Sequence, residues 1–149
     1  MIAALRKPAF APVLVLLLAG CESAFGINDD IEGYYSYGGT VTNSPGYSVN
    51  GDLYITGQYR DEAEADIDWY MYEGGTRILH IAADRVPVDV DSDGRIQFRV
   101  TGDLQLSSGR WTYFELRHEG RVSGRTIRGS WWLDTDIPSD DRGSFTASR

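Results

Sequence analysis

The sequence is poor in the residues that most often carry catalysis or bind metal ions. It contains two histidines, His80 and His118, and a single cysteine. His80 stands in an apolar stretch, which favours a structural role over that of a general base. Gly-x-Ser-x-Gly, His-Glu-x-x-His and phosphate-loop motifs are all absent. We therefore expect no catalytic residues and a protein that is not an enzyme.

Helical periodicity is also lacking. No window from residue 31 to residue 149 repeats apolar residues at the i, i+3, i+4, i+7 spacing of an amphipathic helix. Basic residues are fewer than acidic ones, and the formal charge of −8 falls to about −10 for the part from Cys21 onward. Such a surface repels nucleic acid and anionic membrane surfaces, so we expect no nucleic-acid partner.

Residues 1–20 have the order of a secretory signal peptide: basic, then apolar, then small. Arg6 and Lys7 precede an apolar stretch of 11 residues, from Ala9 to Ala19. A membrane-spanning helix needs roughly 20 apolar residues, so this stretch is too short to span. A buried N-terminal helix is the alternative, but the basic flank and the small residues at the end favour a signal peptide.

Leu18-Ala19-Gly20-Cys21 closes this segment and resembles the lipobox of bacterial lipoproteins. In that family the cysteine sulfur receives a diacylglyceryl group, and a peptidase then cleaves before the cysteine. The resemblance implies a lipidated Cys21 that anchors the protein to a membrane of the cell envelope, with residues 21–30 as lipidated cysteine and tether. Lipidation of the only cysteine would leave no disulfide and no cysteine-based metal site. Glu22 follows the cysteine and favours the outer membrane, facing the periplasm, in a bacterium with two membranes.

Residues 31–149 show period-2 alternation broken by turn residues, which predicts strands. The third run has the clearest pattern, with apolar residues at alternate positions and acidic or aromatic residues between them. Pro87 predicts that the fourth strand ends, bulges or lies at a sheet edge nearby. The runs are Ile31–Thr42, Tyr47–Tyr59, Ala63–Glu73, Thr76–Val90, Arg95–Leu106, Arg110–Arg117, Thr126–Leu133 and Ser144–Ser148, with an acidic loop from Asp134 to Arg142.

This pattern predicts an all-β domain: an antiparallel up-and-down meander of about eight strands that closes into a small barrel. A β-sandwich is the alternative. Ile31-Glu32-Gly33-Tyr34-Tyr35 resembles the Gly-x-Trp opening strand of lipocalin-type barrels, with Tyr35 in place of the tryptophan. Residues 124–129, Trp131 and Gly143-Ser144-Phe145 resemble the last hairpin of small lipocalin-like or avidin-like barrels. These resemblances imply a barrel and no particular ligand residues.

Asp89, Asp91 and Asp93, followed by Gly94, resemble the first half of a calcium-binding loop. The second half departs from that pattern, because Val100 stands where the EF-hand has a bidentate glutamate. The hypotheses are a weak calcium site or an ordinary Asp-Gly hairpin turn.

Two acidic groups are further candidates for binding a cation or a basic partner, and each is also typical of a solvated surface. The first is placed around the third strand, where three members share one face, and the second lies in the acidic loop. Their residues are Asp61, Glu62, Glu64, Asp66 and Asp68, and Asp134, Asp136, Asp140 and Asp141.

Aromatic residues suggest a surface for stacking against a sugar or an apolar ligand. Trp131 and Trp132 are neighbours on one strand and must point to opposite faces. We predict that one lies in the core, and that Tyr70, Tyr72 and one tryptophan form the binding surface. Strand propensity and core packing are the competing interpretation.

The leading functional hypothesis is a lipid-anchored envelope lipoprotein whose non-enzymatic barrel binds a small apolar or amphipathic ligand. The alternative is an accessory lipoprotein that binds an envelope protein through its acidic and aromatic surface, without a small ligand. A cavity in the barrel would favour the first hypothesis, and a filled core with an exposed aromatic patch would favour the second.

Overall fold

The computed structural model of the protein describes residues 30–42, 44–105, 108–136 and 141–149, and in these residues the chain is all β. None of the described segments forms a helix long and apolar enough to cross a membrane. Eight antiparallel strands follow one another around a closed barrel, as the sequence predicts. The strands are β1 (Gly33–Val41), β2 (Tyr47–Tyr59), β3 (Glu62–Glu73), β4 (Thr76–Val90), β5 (Arg95–Gln105), β6 (Trp111–Ser123), β7 (Thr126–Thr135) and β8 (Asp141–Ser148).

The barrel closes where β1 pairs with β8, from Ser36 opposite Ser148 to Val41 opposite Gly143. A glycine is required at this seam, because a Cβ atom on Gly143 would lie 1.7 Å from a backbone carbonyl oxygen of β1. Closure pairs strand edges that a sandwich would leave open. All the strand pairs of the barrel lie within Gly33–Ser148.

Most predicted boundaries agree with the structure to within two residues, and the main differences lie in the last three strands. β6 continues past Arg117 to Ser123, β7 reaches Thr135, and β8 begins at Asp141, so the predicted acidic loop is shorter than expected. The reason is pairing across strands: the extended part of β6 lies opposite β7, and the start of β8 lies opposite the end of β7. Backbone N–H and C=O groups continue a ladder where a partner exists, whatever the local composition.

The prediction made from Pro87 is confirmed in two ways. The register of β3 against β4 shifts just before it, where Arg85 has a φ of 52°. Pairing of β4 with β5 begins only after it, at Val88. Proline has no N–H to donate, so it is tolerated beside a bulge and where a ladder ends.

Apolar side chains of all eight strands point into the barrel and form one core. In β3 the alternation is regular, with Ala63, Ala65, Ile67, Trp69 and Met71 inside. The end of the barrel that carries the turn Asp91–Gly94 is called here the lower end, and the end that carries Gly74 and Gly75 the upper end. At the lower end Ile31 is fully buried and its carbonyl oxygen accepts a hydrogen bond of 2.8 Å from the Tyr35 hydroxyl.

Candidate functional site

The wall of the barrel is incomplete between β4 and β5. Among the described residues these strands pair at only three positions, Val88–Phe98, Asp89–Gln97 and Val90–Ile96, against six in the β1–β8 seam. Towards the upper end, residues 76–87 of β4 and 99–105 of β5 have no partner across this boundary. We call this opening the β4–β5 gap.

Some inward-facing side chains are partly exposed along the β4–β5 gap, while Ile81, Val86 and Val100 of the same unpaired stretches are buried. Leu79 and Ala83 of β4 and Leu104 of β5 pack against the core but are only half-buried, and Gly102 beside Leu104 adds no side chain. Where the two strands are paired, towards the lower end, the inward-facing Val88 and Ile96 are each 1% exposed. The gap therefore exposes part of three inward-facing apolar side chains to solvent, and apolar clefts are a usual setting for small-molecule sites.

A surface depression of about 430 Å³ lies at the lower edge of the gap. Its lining includes Pro87, where pairing stops, the outward-facing Arg99 and Arg117, and the inward-facing Phe98 and His118. Arg99 and Arg117 each form an ion pair with Glu115, at 3.4 Å and 3.2 Å. The depression is thus lined by charged, outward-facing side chains and by two residues whose side chains point into the barrel.

A polar cluster is enclosed by aromatic rings inside the barrel. The Tyr37 hydroxyl lies 3.0 Å from Nε2 of His118, whose side chain is 1% exposed. The His118 ring stacks on Phe98 at 4.4 Å and meets Phe145 edge-on at 5.4 Å. Burial lowers the pKa of His118 to about 3, so the imidazole is neutral at physiological pH.

Two nitrogen atoms in this cluster lack a hydrogen-bond partner within the described residues: Nδ1 of His118 and Nε1 of Trp69. The Trp69 indole approaches the Tyr37 hydroxyl without forming a bond of good geometry, and burial raises the pKa of that hydroxyl strongly. Sequence reasoning did not single out this cluster. The available signal was the inward parity of His118, which follows Thr112, Phe114 and Leu116 on alternate positions of β6.

The predicted aromatic surface of Tyr70, Tyr72, Trp131 and Trp132 does not exist as one surface. Trp131 is fully buried inside the barrel, where it meets Trp69 edge-on at 5.3 Å. Trp132 lies half-buried on the outer face of β7 beneath the Arg117 guanidinium, 5.8 Å from it. Tyr70 and Tyr72 are on the outer face of β3, and three strands separate β3 from β7 in either direction. The expectation that the tryptophans point to opposite faces is confirmed.

The outer face of β3 carries a hydrogen-bonded group instead. Oxygens of the Asp68 carboxylate contact the Tyr70 hydroxyl at 2.6 Å and Nε2 of His80 at 2.5 Å, and the Tyr70 and His80 rings stack at 4.5 Å. The hydrogen bond from Tyr70 lowers the pKa of Asp68, with a smaller contribution from His80. Glu64 and Asp66 share this face, as predicted, and are exposed. His80 is therefore an exposed partner of a carboxylate and not a core residue.

The three aspartates predicted to bind calcium are not brought together as a metal site. No group of three or more His, Cys, Asp or Glu side chains suited to a metal ion occurs in the part of the chain that the structure describes. Oδ1 of Asp91 accepts the N–H groups of Asp93 and Arg95, both at 2.9 Å. Asp89 lies on β4 and lines the depression. The geometry is that of the alternative, a hairpin turn closed by Gly94 with a φ of 74°.

The remaining predictions fall partly beyond the described residues. The signal segment, the lipobox and Cys21 lie outside them, as does Asp140 of the acidic loop. Asp134 of that loop is in β7 and forms an ion pair with Arg117 at 2.9 Å.

Solved structures with a similar fold are small β-barrels. EF1p2_mFAP2b, solved bound to DFHBI, aligns with a TM-score of 0.57 at 10% identity, over 80% of this chain and 93% of that one. A redesigned β-barrel, mFAP1, also bound to DFHBI, aligns with a TM-score of 0.50 at 11% identity, over 80% and 94% of the two chains. No protein-family profile and no curated protein matches the chain. At these identities the likeness establishes a small closed β-barrel and nothing further.

Proposed function

We propose that this protein is a lipid-anchored lipoprotein of the bacterial cell envelope whose barrel binds a small apolar or amphipathic ligand without catalysing a reaction. The β4–β5 gap is the observation that carries the binding part of the proposal. It leaves the inward-facing Leu79, Ala83 and Leu104 partly exposed where β4 and β5 have no ladder between them. Removing such apolar surface from water favours binding by about 25 cal/mol per Å² before the costs of association.

The similar solved barrels lend support, because both were solved with the small ligand DFHBI bound. The resemblance of residues 18–21 to a lipobox supports the anchor. Several acyl chains give lasting attachment, since each buried methylene contributes about 0.8 kcal/mol. Glu22 supports the outer membrane, facing the periplasm, if the organism has two membranes.

Binding through the gap is tested by obstructing it. Residues 22–149 contain every ladder of the barrel, so they serve as the test protein. Ala83 points into the barrel at the gap, whereas the neighbouring Ala82 is exposed on the outer face. Ala83→Trp should weaken binding of the apolar dye 1-anilinonaphthalene-8-sulfonate at least about tenfold, a loss of about 1.4 kcal/mol, while Ala82→Trp leaves it unchanged. Equal binding by both variants would contradict a site inside the gap.

Native mass spectrometry of the same protein, purified gently, identifies what it carries. An organic adduct of a few hundred daltons that is present in the parent protein and lost in Ala83→Trp supports a bound ligand. An adduct retained in that variant places the ligand elsewhere.

The anchor is tested separately in the full chain. Wild-type protein should fractionate with membranes and incorporate a radiolabelled fatty acid, and Cys21→Ser should do neither. Membrane fractionation unchanged by Cys21→Ser would refute lipid anchoring, whatever the barrel binds.

A second candidate function rests on the outer face of β1 to β3. Tyr34 and Tyr54 are 56% and 46% exposed there, and Tyr70 and Asp68 lie on the adjoining strand. This acidic and aromatic face favours an accessory role in which an envelope protein docks and no small ligand binds. Cross-linking in cells from a photoreactive residue placed at Tyr54 would capture such a partner, and the same residue at Thr146, on the exposed face of β8, is the control.

A further inference from the structure

His118 differs from the other interior side chains of the described barrel in being titratable, almost fully buried and unpartnered at one nitrogen. Thr112, the other buried polar residue of the described interior, has its hydroxyl 3.4 Å from a backbone carbonyl. The rings around His118 are Phe98 and Phe145, which offer no hydrogen-bond acceptor, and Tyr37, which already contacts Nε2. Nδ1 therefore has no partner in the described chain.

The neighbouring groups decide which nitrogen of His118 carries the proton. The Trp69 indole N–H can only donate, and the Tyr37 hydroxyl is the group it approaches, although the two do not form a hydrogen bond of good geometry. This arrangement favours a Tyr37 hydroxyl that turns its oxygen towards Trp69 and donates its own hydrogen to Nε2 of His118. A neutral imidazole that accepts at Nε2 carries its proton at Nδ1. In that tautomer Nδ1 is a buried N–H donor without an acceptor among the described residues.

His118 also lies at the level where the barrel wall opens. Its ring stacks on Phe98, and Phe98 with Val88 forms the pair at which the β4–β5 ladder stops. Phe98 and His118 both line the depression at the lower edge of the gap. His118 and the opening are therefore adjacent, and the partly exposed apolar side chains of the gap extend from this point towards the upper end.

A buried donor without an acceptor raises the free energy of the folded state, because the group has lost its hydrogen bond to water. An oxygen atom that reached Nδ1 through the gap would restore that bond. A carbonyl or carboxylate oxygen suits a single N–H donor, and the apolar walls suit a hydrocarbon chain attached to it.

We propose that Nδ1 of His118 is the interior anchor for a carboxylate or carbonyl oxygen at the end of an apolar molecule, whose hydrocarbon part packs against Leu79, Ala83 and Leu104 along the β4–β5 gap. This inference rests on the proposed function and specifies its ligand as an amphipathic acid or ester. Tyr37 is a positioning residue, which holds the imidazole in the tautomer that donates from Nδ1.

The chain offers a direct measurement, since it has only two histidines. In ¹⁵N-labelled residues 22–149, imidazole nitrogen–proton correlation spectra report the tautomer of each ring. Before ligand is added, His118 should show a protonated Nδ1 and an accepting Nε2. Titration with decanoate should shift the Nδ1 resonance of His118 and leave the resonances of the exposed His80 unchanged.

Two substitutions separate the donor from the shape of the side chain. His118→Asn keeps an N–H donor close to the position of Nδ1 and should bind decanoate within about threefold of wild type. His118→Phe keeps a ring that can stack on Phe98 but removes the donor, and should bind at least about tenfold more weakly. Circular dichroism melting shows that both variants are folded before binding is compared. Methyl decanoate distinguishes the sources of the oxygen: equal binding identifies a carbonyl acceptor, and loss of binding identifies a required carboxylate.

The outcomes distinguish this inference from the proposed function. Decanoate binding that is equal in wild type and His118→Phe, with the His118 resonances unmoved, would overturn the anchor and leave a ligand-binding barrel intact. Failure of decanoate and its methyl ester to bind wild type, while the dye still binds in the gap, would overturn the ligand class. Failure of all three probes would overturn both.

Discussion

The buried imidazole of His118 should make the barrel sensitive to mild acid. Burial lowers the pKa of His118 from 6.5 to about 3 in the folded state, because no described group compensates the loss of water around the charged form. As the pH falls below 6.5 the unfolded chain binds a proton at this position and the folded chain does not. The contribution of the neutral His118 ring to the free energy of unfolding is therefore fully present above pH 6.5, and it is lost as the pH falls towards 3.

The magnitude follows from the difference between the two pKa values. Each pH unit between them costs 1.36 kcal/mol, so about 2.5 kcal/mol of the free energy of unfolding should disappear between pH 7 and pH 4.5. That loss is a large fraction of the 5–15 kcal/mol typical of a small domain. Urea unfolding followed by tryptophan fluorescence at both pH values measures it.

The matched comparison is His118→Phe, which removes the titrating group and keeps an aromatic ring against Phe98. This variant should lose about 2.5 kcal/mol less than wild type over the same pH interval, since carboxylates titrate equally in both proteins. Equal losses in the two proteins would refute the assignment of the acid sensitivity to His118, and with it the argument that its imidazole is buried and neutral.

Three further predictions concern the barrel itself, each measured as a free energy of unfolding. Trp131→Ala should lower the free energy of unfolding by about 3–5 kcal/mol because the side chain fills the interior, while Trp132→Ala on the outer face should lower it by about 1 kcal/mol or less. Similar losses in the two variants would contradict the inward direction of Trp131 and the outward direction of Trp132. Gly143→Ala should cost about 3 kcal/mol or more through its clash at the seam, whereas Gly38→Ala, with open space around a Cβ atom, should stay within about 0.5 kcal/mol. Asp91→Ala should lower the free energy of unfolding by about 1 kcal/mol, because it removes the two hydrogen bonds of the turn. Calcium chloride should not raise the melting temperature of the wild type, and a clear rise would restore the calcium hypothesis.

Local sequence information was sufficient for the strands and the class of fold. The alternation in β3 and the turns at Gly74 and Asp91–Gly94 act between near neighbours in the chain, so they can be recognised without knowing what lies across the barrel. The same period of two required Trp131 and Trp132 to face opposite ways. It could not decide which faced inward, because that depends on the register of β7 against β6 and β8.

Only the tertiary structure shows where each strand lies around the barrel. Tyr70 and Trp132 are both suited to stacking, but closure of the barrel puts β3 and β7 on opposite sides. The β4–β5 gap likewise depends on where one ladder stops, and Pro87 marks only one side of it. Tyr37 and His118 are 81 residues apart, and only closure of the barrel brings them within hydrogen-bond distance. By itself the sequence determined that this chain forms the antiparallel strands of an all-β domain, because strand formation follows from local alternation. Which side chains meet inside it was decided by register and closure, because these join residues that are distant in the chain.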